Sequence, residues 1–338
     1  TMIKKIKNFL LFKFDQIFYN VDFTKKIIAF FHYLYFSKYI KENNSYIIVY
    51  DCKCSASTYG DFTFTILLAR YFEQYKKKVT IYILNDEYRS SWSRYSDKNK
   101  IKVIKDFSKI AKYFFDKKNT NLKITSFNNF KKENLKENKS IFFSGRVYRR
   151  YKMYNCIFNI LQYAHIFNNK KFKNFLLPVK KKTHVAVHAR YSAKGKLYTS
   201  KISTDRNMSI NDLEKIIKKV RNRYKKNKIV ILTDMTGYNY YKSLKNKFTN
   251  LIFSKEISKD YIGDIKLLLS SIKYYHYNGG GICVFAWFSK LPYLCCWKGK
   301  HYVHNEMFWK NYYKYTSWQL RDQKTYFCKS IDDFVSHI

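Results

Sequence analysis

The chain has 338 residues, enough for two domains of ordinary size, and 46% of them are hydrophobic and 20% aromatic, which excludes a disordered chain. Its formal charge of +42 asks for an anionic partner, yet Lys, Asn, Ile, Phe and Tyr are abundant along its whole length, as AT-rich coding alone would make them. Only local clusters of charge therefore point to a site.

Thr1 precedes Met2 and is set aside from the fold reading. Residues 1–40 form a basic, aromatic segment in which Lys4, Lys5, Lys7 and Lys13 interleave with Phe9, Leu10, Leu11, Phe12 and Phe14. A basic amphipathic helix can lie among anionic headgroups, so a peripheral membrane contact through residues 2–36 is one expectation. A helix packed on the first domain is the other. No apolar run reaches the roughly 18 residues of a membrane span, and no signal peptide is expected.

Tyr46-Ile47-Ile48-Val49-Tyr50-Asp51 reads as a strand, followed by a loop to Gly60, a helix over 62–75 and a second strand over 79–84. Strand, glycine-containing loop, helix and strand make a βαβ unit with a parallel sheet. Fainter strands are expected at 122–127 and 140–143, and a helix at 148–167 with Arg149 and Arg150 in its first turn. The connector 168–182, containing Pro178, is the expected boundary between a first unit over 41–178 and a second over 179–300.

Thr183-His184-Val185-Ala186-Val187-His188-Ala189-Arg190 opens the second unit as a strand covered on both faces. Ser209 is placed to cap a helix whose apolar face is Ile210, Leu213, Ile217, Val220 and Tyr224, with Asp212 in its first turn. A strand over 229–232 ends at Thr233-Asp234. Helices over 238–248, 261–272 and 282–290 then alternate with strands over 251–253, 274–277 and 293–297. Ligands of open α/β sheets bind outside the carboxyl ends of strands, so His188 and Arg190 stand where a phosphorylated ligand would be held. A strand histidine is as often a core residue. Asn278-Gly279-Gly280-Gly281 lies between a strand and a helix, where glycines let the backbone approach a diphosphate.

The second half resembles the donor-binding domain of GT-B glycosyltransferases, and more narrowly the fucosyltransferase-like group. In that group a strand ending in His-x-Arg-Arg sets arginine against the donor pyrophosphate. Val187-His188-Ala189-Arg190-Tyr191 matches, with Tyr191 in place of the second arginine. Thr233-Asp234, Asp264 and Asn278 to Gly281 match the group's later motifs. Gly60-Asp61-Phe62-Thr63 resembles the Gly-Asp turn of heptosyltransferase-like GT-B enzymes, whose aspartate serves as base.

The resemblance implies two Rossmann-like, doubly wound α/β domains facing a cleft. The first would bind the acceptor, a glycan or lipid-linked glycan, with Gly60 and Asp61 at the cleft; Arg146, in a turn after an expected strand, is a further candidate there. The second would bind a nucleotide-sugar. Arg190 and Asp61 would be catalytic; His188, Arg206, Asn207, Thr233, Asp234, Asp264, Asn278, Gly279, Gly280 and Gly281 would line the donor site. Arg206-Asn207 could equally be a surface turn, and Asp234 and Asp264 ordinary helix caps. The C-terminal segment, 301–338, is expected to pack back across the cleft.

There is no Asp-x-Asp motif and no His/Asp/Glu grouping with ligand spacing, so no metal and no further cofactor are expected. Seven cysteines show no zinc rhythm and are expected as buried, reduced thiols in a reducing, cytoplasmic setting, with the membrane's inner face as a surface contact. The competing reading is a nucleic-acid-binding protein using its basic, aromatic surface, although no RNA-recognition motif is present.

Overall fold

Two all-parallel sheets organise the chain, a consequence of apolar strand runs separated by helix-length segments. A computed structural model describes residues 44–134 apart from 56, 94 and 116–119, then 141–144, 157–159, 177, 183–191, 207–298 apart from 279 and 280, and 321–338. The basic segment 1–40, Arg146, Arg206, Gly279 and Gly280 lie outside the described residues.

The first sheet contains β1 (Ser45–Asp51), β2 (Lys78–Leu84), β3 (Thr120–Thr125), β4 (Ile141–Ser144) and β5 (Ile157–Asn159), in the order β3-β2-β1-β4-β5. Helices α1 (Tyr59–Gln74) and α2 (Asp97–Phe114) cover one face, burying Phe62, Ile66, Phe107 and Ile110 against Ile48 and Tyr50. On the other face Phe130 of α3 (Phe127–Asn134) packs with Ile47, Val49 and Tyr82.

The second sheet holds β6 (His184–His188), β7 (Lys228–Leu232), β8 (Leu251–Phe253), β9 (Ser271–Tyr277), β10 (Tyr293–Lys298) and β11 (Gln323–Cys328). Its order is β11-β10-β9-β6-β7-β8, the doubly wound arrangement in which chain direction reverses beside the first strand. Alternate residues of each strand serve opposite faces. Val185, Val187, Ile229 and Ile231 pack against α4 (Ile210–Arg223) and α9 (Ile331–Ser336). Ala186, Val230 and Leu232 face α7 (Tyr261–Leu269) and α8 (Cys283–Trp287). Two short helices, α5 (Met235–Tyr241) and α6 (Ser254–Ile257), follow β7 and β8.

The helices of the two units share one core. Tyr59 of α1 stacks on Tyr261 of α7 at 3.9 Å, and Phe114 of α2 on Phe285 of α8 at 6.0 Å. Two doubly wound units joined helix face to helix face are the GT-B arrangement expected from the sequence.

Several expectations are corrected. Ile157–Asn159, inside the expected helix 148–167, pairs with β4 as a strand; an apolar run of this length suits either state, and the sheet edge decides it. Helix α2 was not anticipated. Strand β11 extends the second unit past residue 300. The described part of the C-terminal segment packs on that unit, with Lys215 of α4 2.8 Å from Asp332 and Phe334 against Tyr277, instead of crossing the cleft. Cys296 and Cys328 are joined in a disulfide, so the expectation of uniformly reduced thiols fails where β10 and β11 run side by side. Cys52, Cys54, Cys283 and Cys295 are buried and free. Among the described residues no helix is long and apolar enough to cross a membrane.

Candidate active site

Strand β6 lies where the second sheet reverses, with β7 on one side and β9 on the other. Its connections leave in opposite directions there, which opens a crevice at the strand tips. His188 pairs in register with His276, so Arg190 and Asn278 each stand two residues beyond a matched position. Neighbouring strands lie about 5 Å apart, so the two tips are side by side at the same end of the sheet.

The rings of His188 and His276 stack at 4.6 Å, and His276 Nδ1 lies 2.7 Å from the Tyr274 hydroxyl. Burial, and secondarily the charge of Arg190, pushes the His188 pKa down to about 3, which keeps the imidazole neutral. Its buried Nδ1 has no hydrogen-bond partner among the described residues, nor have Thr233 Oγ1 and the Tyr261 hydroxyl. Buried polar atoms are normally satisfied, so such a group at a sheet reversal is suited to a polar ligand or ordered water.

Arg190 is held through its backbone. Its carbonyl accepts from Met208 N at 2.9 Å and from the Tyr241 hydroxyl at 2.9 Å, and that hydroxyl also lies 2.7 Å from the Met208 carbonyl. Tyr191, at the position of the resembled group's second arginine, stacks on Tyr240 at 3.8 Å. Arg190 and Met208 are thus tied together, and Asn207 stands next to the residue bonded to Arg190.

At the second tip Asn278 takes φ 64°, a left-handed conformation asparagine tolerates, and its N–H donates to the Cys296 carbonyl at 2.8 Å. Gly281 meets the first unit: a Cβ built there would lie 3.5 Å from Gly60 N and 3.9 Å from the Tyr261 hydroxyl. A Cβ on Gly60 would come 3.3 Å from Val284 Cγ2, a tight contact that this side chain would have to relieve, whereas one on Gly281 would make ordinary contacts. Helix α8 is only five residues long, shorter than the expected 282–290, and supplies little dipole.

Asp61 enters from the opposite side. Thr58 caps α1, accepting from Asp61 N at 3.1 Å, and its hydroxyl donates to Asp61 Oδ2. Asp61 is therefore the third helical residue, half-buried, with Gly60 packed against Gly281 directly before it. Burial first, and Asp61 second, hold the neighbouring Tyr50 hydroxyl well above its ordinary pKa.

Thr233 and Asp234 follow β7. Asp234 caps α5, accepting from Gly237 N at 2.8 Å, and Gly237 is required because a Cβ there would fall 1.9 Å from Thr233 Oγ1. Asp264 is buried in an ion pair with Lys255 at 2.6 Å, and desolvation raises its pKa against the pull of that lysine. The structure sets His188, Arg190 and Asn278 at neighbouring strand tips, places Asn207 beside the residue bonded to Arg190, packs Gly281 against Gly60 next to Asp61, and gives Asp234 and Asp264 local partners. His276, Tyr241 and Tyr261 join the site without any signal in the sequence beyond their strand and helix positions.

Solved structures similar to this chain include E. coli heptosyltransferase WaaC with ADP-2-deoxy-2-fluoro heptose, at TM-score 0.48 and 9% identity over 86% of this chain and 95% of that one. E. coli ADP-heptose LPS heptosyltransferase II is similar at TM-score 0.43 and 6% identity, covering 85% of this chain and 93% of that one. No protein-family model matches the chain, and no curated protein does so.

Proposed function

We propose that the chain is a glycosyltransferase that moves a sugar from a nucleotide-sugar to a glycan or glycolipid acceptor in surface-polysaccharide or glycoconjugate synthesis. One observation carries the reading: the tips bearing Arg190 and Asn278 are neighbours at the reversal of the second sheet, and Gly60, at the start of α1 beside Asp61, packs onto Gly281 from the other unit.

In this mechanism the acceptor hydroxyl attacks the anomeric carbon while Asp61 takes its proton. The bond from that carbon to the diphosphate oxygen breaks, and its electron pair leaves on the diphosphate. Arg190 and the glycine amides that follow Asn278 stabilise the developing charge, as donors aimed at a leaving oxyanion do. Displacement from the side opposite the leaving group makes the transfer inverting. The cationic strand tip stands in for a metal. The donor is read no more narrowly than a nucleoside diphosphate sugar, because Tyr191 stacks on Tyr240 where the fucosyltransferase-like pattern has an arginine.

The test is a screen of GDP-, UDP-, ADP- and CMP-sugars with EDTA present throughout, read as nucleotide release and binding. Arg190→Ala is expected to raise the barrier by about 3 kcal/mol, roughly a hundredfold in turnover. Asp61→Asn should bind the nucleotide normally and lose transfer. Unchanged turnover in Arg190→Ala removes the reading.

A further inference from the structure

Helix α2 carries Lys98, Lys102, Lys105, Lys109 and Lys112, all exposed, at spacings of four, three, four and three. At 3.6 residues per turn these fall on one stripe about 21 Å long. None of the five has an ion-pair partner among the described residues. Lys109 also lowers the pKa of the Asp260 carboxyl, which is held low chiefly by the Gly263 amide.

A lysine-rich composition does not by itself explain this. On α4, in the same chain, Lys215 pairs with Asp332 and Lys218 with Glu214. Arg221 donates to the Asn227 and Thr249 carbonyls, and Arg223 to that of Ile338. Beside the α2 stripe Ile101 is 52% exposed, an apolar side chain among ammonium groups. The C-terminal end of α2 reaches the junction of the two units, where Phe114 stacks on Phe285 and Lys266 Nζ sits 5.5 Å above the Tyr113 ring.

We infer that the α2 stripe is a docking face for an anionic lipid bilayer. A straight row of unpaired lysines with an isoleucine at its edge matches a flat layer of phosphate headgroups over acyl chains. A nucleic-acid strand would instead call for exposed aromatic rings between the charges, and the stripe has none. The inference is independent of the sugar-transfer reading.

The full chain is mixed with phosphatidylcholine vesicles, with and without phosphatidylglycerol, and recovered by flotation. It is compared with Lys102→Glu/Lys105→Glu/Lys109→Glu and with a control of equal net charge, Lys225→Glu/Lys226→Glu/Lys242→Glu, on exposed positions of the second unit. Circular dichroism confirms that each variant folds. The stripe variant is expected to lose at least a hundredfold in partitioning to anionic vesicles, while the control loses less than tenfold. Added salt should abolish wild-type binding. Equal losses in both variants would show bulk charge alone, no loss would leave any binding to other segments, and loss confined to an oligonucleotide probe would make the partner a nucleic acid. Each of these outcomes overturns the inference.

Discussion

The two sheets reverse direction in the same way, at β1/β4 and at β6/β9, but they finish the reversal differently. In the first unit the chain seals its own strand end. The buried Asp51 carboxylate accepts from Lys53 N at 2.8 Å and lies 3.7 Å from Cys54 Sγ, while its carbonyl accepts from the Cys54 and Ser55 amides. In the second unit the corresponding end presents a neutral imidazole, whose Nδ1 has no partner among the described residues, near a guanidinium. One topology thus yields a closed scaffold and an open site, and side chains at the strand tips make the difference. On the proposed function the donor would bind where hydrogen-bonding capacity is left over.

The largest effect expected from challenging this contrast lies at Lys255. If Asp264 is scaffold, Lys255→Met strands a buried carboxylate and costs about 3–5 kcal/mol, read by urea denaturation. Nucleotide affinity of the protein that remains folded should be unchanged. A loss of affinity without a loss of stability would return Asp264 to the donor site. Next in size is the sealed end of the first unit: Asp51→Ala removes the acceptor for its own loop amide and should cost about 2 kcal/mol. Because its own loop closes that end, nucleotide binding should again be unaffected, and a change in affinity would erase the distinction between the two reversals.

What the sequence revealed follows the range of the interactions involved. Ser209 was legible as a cap because its hydroxyl reaches only three residues on, to Asp212 N. Strand β6 and the turn at Asn278 were legible from local apolar runs and glycines. Helix α2 was not anticipated although its period is legible: Val103, Ile104, Phe107, Ile110, Ala111 and Phe114 recur at spacings of one, three and four, lysines fill the opposite face, and Ser96 caps it. Other features depend on pairing across long stretches of chain. The Cys296–Cys328 bond spans 32 residues, β11 needs β10 beside it, and the contact between Gly60 and Gly281 exists only after both units have folded. No local pattern encodes any of them.

The smallest effect sharpens the contrast most, because it separates position from presence. The Tyr241 hydroxyl lies within hydrogen-bonding distance of both the Arg190 and the Met208 carbonyls, and burial raises its pKa, so at neutral pH it is a donor. Tyr241→Phe keeps the ring that packs beside Tyr240 and removes only this tie. The Arg190 carbonyl retains the Met208 amide, so the stability loss should be about 1 kcal/mol, the net worth of one hydrogen bond. If the tie serves to aim the guanidinium, affinity for a nucleoside diphosphate should fall severalfold while affinity for the matching nucleoside stays the same. Arg190→Ala should erase that diphosphate preference in either background. A Tyr241→Phe protein that loses stability but keeps the full preference would make the hydroxyl a piece of core structure, and the second reversal would then owe its open end to the Arg190 side chain alone.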